Sequence, residues 1–283
     1  MNSDLLRTIQ SSYGTRSCRS DIVEYLTRRA RERIFGVDKS IFDKTRRYYA
    51  EVRGERVTAA EALRRALNKA EHKDAWFRKE RSTLEDKMHF YKEVEIYPFR
   101  QPYYKRHGGF RWYRRLVRHV ERPRILEYGC GSAVLTEYLV EKFPEAHFTV
   151  ADVPSVTLEF VKWKKQTYGY PYEILTIGRG AEGIPLKDTY DLIICQDVLE
   201  HTPNPLEIVD AFATHLSPSG VLVVDFIDDP GGENLLEAVE QREAVKHFLK
   251  GNLVTLKAID EPRGNNGLYV KDVSSNAGAA AGR

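Results

Sequence analysis

The chain has 283 residues, of which 42% are hydrophobic and 30% charged, with a formal net charge of only +3. No run of some eighteen apolar residues occurs, and the start Met1-Asn-Ser-Asp-Leu-Leu-Arg7 has no apolar core of signal-peptide length, so a helical membrane span is excluded and a soluble cytoplasmic protein is expected. Cys18, Cys130 and Cys195 lie far apart without ligand spacing, so neither a disulfide framework nor a metal site is expected.

Charge is polarised along the chain. Residues 1–123 hold 30 Lys and Arg against 17 Asp and Glu, whereas residues 124–283 hold 14 against 24. The basic half can meet an anionic substrate, nucleic acid or a membrane surface, or it can fold back on the acidic half; a solvated helical face with intramolecular attraction is the plainer reading. Residues 21–35 and 40–52 carry apolar side chains at three- and four-residue spacing, which predicts helices. Thr58-Ala-Ala-Glu61 forms a capping box before a stretch rich in Ala, Leu, Lys and Glu that reaches toward Tyr91. Gly36 and Gly54 mark breaks, and Pro98 and Pro102 are expected to end the helical region. Gly108-Gly109 separates it from a further helix, residues 110–120.

Nine aromatic residues fall between Phe90 and Tyr113: Phe90, Tyr91, Tyr97, Phe99, Tyr103, Tyr104, Phe110, Trp112 and Tyr113. Arg100, Lys105, Arg106, His107, Arg111, Arg114 and Arg115 are interleaved with them. Such a segment can line a substrate pocket, its aromatics holding an apolar or cationic group and its arginines a carboxylate or phosphate. It can equally pack the helical region onto the C-terminal half of the chain.

From residue 124 the pattern changes. Arg124-Ile-Leu-Glu-Tyr-Gly-Cys-Gly-Ser-Ala133 reads as a short apolar strand, an acid, and a glycine-broken turn that opens a helix. Residues 147–152 form a second strand ending in Asp152, about twenty residues after that turn, where a carboxylate can accept both ribose hydroxyls of a nucleotide-like ligand. Residues 172–177, 190–195 and 220–226 are further strands, aliphatic without alternation, as in a parallel sheet covered by helices on both faces. Residues 252–259 and 268–273, joined by a loop rich in Gly and Asn at 261–267, suit a hairpin at a sheet edge. The expected fold is thus α/β, a Rossmann-like seven-stranded, mostly parallel sheet with helices on both faces, preceded by an α-helical N-terminal region. We divide the chain into a helical region at 1–108, an α/β domain at 109–273 and a small, polar, disordered tail at 274–283.

These residues carry a family resemblance. Glu127-Tyr-Gly-Cys-Gly-Ser-Ala133, Asp152, Gly180-Ala-Glu-Gly-Ile-Pro185 and the block from Tyr190 through Gln196-Asp-Val-Leu-Glu-His201 to Pro205 together resemble class I S-adenosylmethionine-dependent methyltransferases, most closely the small-molecule branch. The resemblance implies S-adenosyl-L-methionine as cofactor. Gly129 and Gly131 would pass under its methionine part, and Glu127 would sit near the amino group or order the turn. Asp152 would hold the ribose and Val153 would flank the adenine. Ala181 and Glu182 would lie beside the adenine edge, and Gln196 would close the methionine side. Two positions depart from the pattern: Ala133 replaces a third glycine, and Gly180 stands where many relatives have an acid.

Transfer of a methyl group from a sulfonium depends chiefly on positioning, with a base required where the acceptor must lose a proton. His201 is the leading candidate base, since imidazole titrates near neutral pH; His107, Tyr103 and Tyr104 are weaker ones from the aromatic segment. The resemblance also gives Glu200-His201 a structural role, and Asp197 orients its loop or acts chemically. Motifs of nucleobase-amine and cytosine methylation are absent, as is the magnesium set of catechol-type enzymes, so a small organic acceptor, a biosynthetic intermediate or natural product, is expected. An RNA-directed enzyme using the basic half, and an inactive cofactor-binding partner subunit, remain alternatives. So does a homodimer built through the N-terminal element.

Overall fold

The computed structural model describes residues 38–68, 94–105, 110–178, 186–227, 234–259 and 266–272, with isolated positions 27, 30, 32, 90 and 184. Expectations about Cys18, most of residues 21–35, the stretch from 69 toward Tyr91, His107, the Gly108-Gly109 break, Ala181, Glu182 and the tail lie outside the described residues.

Seven strands form one sheet: β1 (Arg124–Tyr128), β2 (His147–Asp152), β3 (Glu173–Thr176), β4 (Tyr190–Cys195), β5 (Leu216–Val224), β6 (Val254–Lys257) and β7 (Gly267–Val270). Their order is β3-β2-β1-β4-β5-β7-β6. β1 to β5 pair in parallel, and β7 runs antiparallel to both β5 and β6. The seven-stranded, mostly parallel Rossmann-like sheet expected from the aliphatic runs is the one the chain forms. Chain order reverses between β1 and β4, so a crevice opens beyond their carboxyl ends, where open α/β sheets place their ligands.

Successive side chains point to opposite faces, and both faces are buried. Leu126, Tyr128, Ile193, Cys195, Leu222 and Val224 pack against α7 (Pro205–His215) and α8 (Leu236–Asn252) through Val209, Phe212, Val245 and Leu249. Ile125, Leu192, Ile194, Val221 and Val223 pack on the other side, against α5 (Val134–Lys142) and α6 (Val156–Tyr168) through Leu135, Leu139, Leu158 and Val161, and against Tyr113 and Leu116 of α4 (Arg111–Leu116). The expected hairpin forms, but its first strand starts at Val254 rather than at 252. α8 extends through Asn252, whose amide donates to the Phe248 carbonyl at 2.9 Å and prolongs the helix.

The N-terminal region forms a 3-10 turn (Lys39–Phe42), α1 (Asp43–Val52), α2 (Ala59–Leu67) and α3 (Tyr97–Lys105). A third core, built from Phe42, Tyr48, Tyr49, Ala62, Ala66 and Phe99, closes on Phe160 of α6. Thr58 caps α2, its hydroxyl accepting the Glu61 N–H at 3.1 Å; the Glu61 carboxylate turns to Arg64 and Arg65 instead of completing the box. The expectation that Pro98 and Pro102 end the helical region is corrected: both lie inside α3. Pro98 sits in the first turn, where N–H groups have no helical partner anyway. Pro102 deprives the Pro98 carbonyl of its donor, and the buried Thr45 hydroxyl replaces it at 2.8 Å.

Candidate cofactor and acceptor site

The glycine turn leaves β1 in left-handed backbone, Gly129 at φ 70° and Gly131 at φ 51°. Side chains are excluded twice over: a Cβ at Gly129 would overlap the Val198 side chain, and one at Gly131 the Gln101 amide. Ala133, the departure from a third glycine, is also left-handed at φ 51° and fully buried as the N-cap of α5, so only a small residue fits there. Two contacts tie the turn to the sheet. Glu127 Oε2 accepts from the Thr136 hydroxyl at 2.6 Å and its N–H at 3.1 Å, fastening the end of β1 to the first turn of α5. Asp152, at the end of β2, accepts the Gly131 N–H at 2.6 Å and the Val153 N–H at 2.7 Å. Burial nevertheless raises the Asp152 carboxyl to about 6, against the lowering effect of those two donors.

Three residues that sequence reasoning passed over complete this end. Gln101 Oε1 accepts the Ser132 N–H, and the Ser132 hydroxyl donates to the Tyr97 carbonyl at 3.2 Å, so α3 lies along the turn. Lys105, one helical turn beyond Gln101, brings its ammonium to 3.7 Å from Glu127. Lys164 of α6, 2% exposed, donates to the Ser132 carbonyl at 2.6 Å and pairs with Glu137, which also binds Lys44 of α1. Burial alone would raise Glu137, but Lys164 and Lys44 hold it below the usual carboxylate range. Lys164 itself is pushed down by burial despite that partner. Nothing in the local pattern distinguishes Lys164 from the neighbouring Lys162 and Lys165; only the packing of α6 against the turn selects it.

At the carboxyl end of β4, Gln196 accepts from the buried Tyr113 hydroxyl and donates to Asn266 at 2.8 Å, joining α4, β4 and the approach to β7. Asp197 follows in left-handed backbone at φ 56°, its N–H donating to Asp225 at 2.7 Å beyond the end of β5. Glu200 is 2% exposed in the 3-10 turn Leu199–His201, and its carbonyl accepts the Leu235 N–H at 2.8 Å. His201 Nε2 lies 3.8 Å from Glu200 Oε1. Burial, reinforced by neighbouring acids, raises Glu200 to about 8 and Asp225 to about 7. Cys130 and Cys195 are buried thiols whose ionisation burial suppresses, so both serve packing.

The aromatic segment divides. Phe90, Phe99 and Tyr113 are buried in the three separate cores, and Tyr103 packs against the core that holds Phe99. Tyr104 is 49% exposed, with Arg100 stacked 5.1 Å from its ring centre. Within the segment, Gln101, Lys105 and the Tyr113 hydroxyl reach the residues expected to hold cofactor. Tyr103 faces the N-terminal core. Among the described residues of the basic half, several cations are paired within it: Arg46 with Asp43, Arg47 with Glu51, Arg53 with Glu95 and Arg65 with Glu55 and Glu61.

Comparison with known proteins agrees with this geometry. Residues 100–268 match the family described as "Methyltransferase domain". A ubiquinone biosynthesis O-methyltransferase of Aeromonas salmonicida is 27% identical over 158 residues, 53% of this chain and 65% of that protein. Its counterpart in Xylella fastidiosa is 32% identical over 130 residues, covering 45% and 51%. Of solved structures, the N-methyltransferase NodS from Bradyrhizobium japonicum, in complex with S-adenosyl-L-homocysteine, is 16% identical with a TM-score of 0.44, covering 65% of this chain and 96% of that one. The chain spans about half the length of the curated relatives it matches. It belongs to the methyltransferase domain family. The resemblance to class I S-adenosylmethionine-dependent methyltransferases is borne out, and S-adenosylmethionine is the cofactor of that class. The residues present suit it: two glycines in left-handed backbone at the end of β1, with a carboxylate at the end of the neighbouring strand.

Proposed function

We propose that this chain transfers a methyl group from S-adenosylmethionine to an oxygen of a small organic acceptor. The observation that carries the reading is the Gly131 N–H bound to the Asp152 carboxylate, which puts a glycine turn and an acid together on adjacent strand ends. Oxygen is preferred as the acceptor atom because the relatives include O-methyltransferases of ubiquinone biosynthesis and a malonyl-[acyl-carrier protein] O-methyltransferase of Bacillus anthracis.

In this reading Gly129, Gly131 and Glu127 receive the methionine part of the cofactor, with Gln101 and Lys105 added from α3. Asp152 accepts the ribose hydroxyls, Val153 flanks the adenine with Ala181 and Glu182, and Gln196 closes the methionine side, steadied by Tyr113 and Asn266. Bound there, the cofactor supplies an electrophilic methyl on a positively charged sulfur. The protein's task is to hold the acceptor in line, to exclude water and to accept its proton, for which His201 stands at the mouth beyond β4. Tyr104 and His107 of the aromatic segment are secondary candidates, His107 lying outside the described residues. Since the family match begins within α3, we assign α3 to the catalytic unit and the preceding helices to a lid or substrate element.

The test is binding followed by turnover. S-adenosylhomocysteine should raise the Tm of the full chain, and Asp152→Ala should abolish most of that rise. Labelled methyl should then pass from the donor to members of a panel of small hydroxylated compounds. A wild type whose Tm ignores S-adenosylhomocysteine would sink the reading. The RNA-directed alternative predicts RNA affinity that falls steeply with salt.

A further inference from the structure

The glycine turn is tied to the N-terminal element by a chain of charges. Ser132 uses all three of its polar groups: its N–H donates to Gln101, its hydroxyl to the Tyr97 carbonyl, and its carbonyl accepts from Lys164 at 2.6 Å. The buried Lys164 ammonium also pairs with one carboxylate oxygen of Glu137. The other oxygen of Glu137 accepts from Lys44 of α1 at 2.6 Å and from the Tyr170 hydroxyl at 3.1 Å, and that hydroxyl in turn accepts from Lys44. Lys44 therefore reaches the Ser132 carbonyl through two side chains.

Helix geometry sets this arrangement. Lys44 and Tyr48 lie four apart on α1, and Phe160 and Lys164 lie four apart on α6, so each helix presents an aromatic ring and a cation on one face. Tyr48 packs on Phe160 with ring centres 5.1 Å apart, and the two lysines converge on Glu137. Glu137 belongs to the helix that the turn opens, its N–H bonding to the Ala133 carbonyl at 2.9 Å. A buried ammonium needs a full opposite charge held in place, and a carboxylate with one cation on each oxygen has a fixed orientation. Without Lys44, one oxygen of Glu137 keeps only the Tyr170 hydroxyl. The carboxylate then gains freedom, and Lys164 is held less firmly on Ser132, the residue after the Gly131 N–H that binds Asp152.

We propose that Lys44 is a positioning residue for the cofactor: from the N-terminal element it steadies, through Glu137 and Lys164, the Ser132 peptide of the turn that receives the methyl donor. Contact of α1 and affinity for the donor are then coupled, and the coupling is reciprocal. An acceptor that seats the N-terminal element tightens donor binding, so the two substrates assist each other. That consequence rests on the methyltransferase reading; the coupling of α1 to the turn does not.

The test uses the full chain with Lys44→Met, Lys44→Arg and Tyr170→Phe, read by calorimetry with S-adenosylhomocysteine and by amide hydrogen exchange at Gly131 and Ser132 without ligand. Lys44→Met should weaken binding about three- to tenfold and quicken exchange at the turn. Lys44→Arg should restore both, and Tyr170→Phe, which keeps both charges, should show a smaller loss in the same readouts and carries the test if Lys44→Met fails to fold. Added to Lys164→Met, Lys44→Met should cost no further affinity, since both act along one path. A Lys44→Met chain with a lower urea midpoint but wild-type affinity and exchange overturns the proposal, because Lys44 then only docks α1. Full additivity with Lys164→Met overturns it too. Quickened exchange at the turn in a chain whose wild type ignores S-adenosylhomocysteine would keep the coupling and remove the methyltransferase reading.

Discussion

The two ends of the proposed site are built differently. The donor end is compact in sequence: Glu127, Gly129, Gly131 and Thr136 lie within ten residues, and Asp152 joins them from the adjacent strand. Much of it is backbone held in one conformation. The end beyond β4, where Gln196 closes the methionine side, is assembled from afar, Gln196 bonding Tyr113 across 83 residues and Asn266 across 70. Asp197 meets Asp225 from the next strand of the sheet. A backbone cradle recognises a constant cofactor and tolerates little change, whereas a mouth made of side chains on loops can be altered without disturbing the sheet.

The contrast is open to attack. Lys164→Met should have the largest effect, since it removes a buried cation from the Ser132 carbonyl and from Glu137 and should cost about 3–5 kcal/mol in urea denaturation, with weaker binding of S-adenosylhomocysteine. If that variant lost neither stability nor affinity, the turn would be self-supporting and the donor end still more local.

Asp152 comes next. Its folded-state value of about 6 lies above the ordinary value of 3.8. The folded protein therefore binds the proton more tightly, and this group's contribution to stability, full below pH 3.8, is lost as pH rises through about 6. Asp152→Asn should flatten the pH dependence of the denaturation midpoint across that window, by at most about 3 kcal/mol before solvent screening is allowed for. An unchanged profile would show that the carboxylate is ionised throughout by its two N–H donors.

Gly131→Ala should impose about 1–3 kcal/mol of backbone strain and push Gln101 from the turn. Calorimetry with S-adenosylhomocysteine should show the loss, and Gln101→Ala in the same chain should relieve the overlap but not the strain. Tyr113→Phe should have the smallest effect, about 1 kcal/mol in stability, because Gln196 keeps its bond to Asn266. Its signature is in binding: affinity for S-adenosylhomocysteine should fall less than in Gly131→Ala, because Asn266 still holds Gln196 at the methionine side. Equal loss in the two variants would erase the distinction between the two ends.

Legibility in the sequence divides along the same line. The strand-turn-helix rhythm, the glycine turn and Asp152 were readable because each is a local pattern whose backbone demand or strand-end position shows in a few consecutive residues. Pro98 and Pro102 misled, since the donor that makes their helix tolerable is Thr45, more than fifty residues earlier. The aromatic run was read as a single feature, yet its members enter three cores, because Phe90, Phe99 of α3 and Tyr113 of α4 face different neighbours.

Taken alone, the sequence determined the parallel sheet, the hairpin edge and the class of cofactor, because periodicity and glycine placement act over short stretches of chain. Tertiary structure alone decided that Lys164 rather than its neighbours supports the turn, that Gln101 lies along it, and that Asp197, Glu200 and Asp225 converge. Those depend on which strand ends and helix faces come together, and burial gives the assembled charges an energy that none of them has in the extended chain.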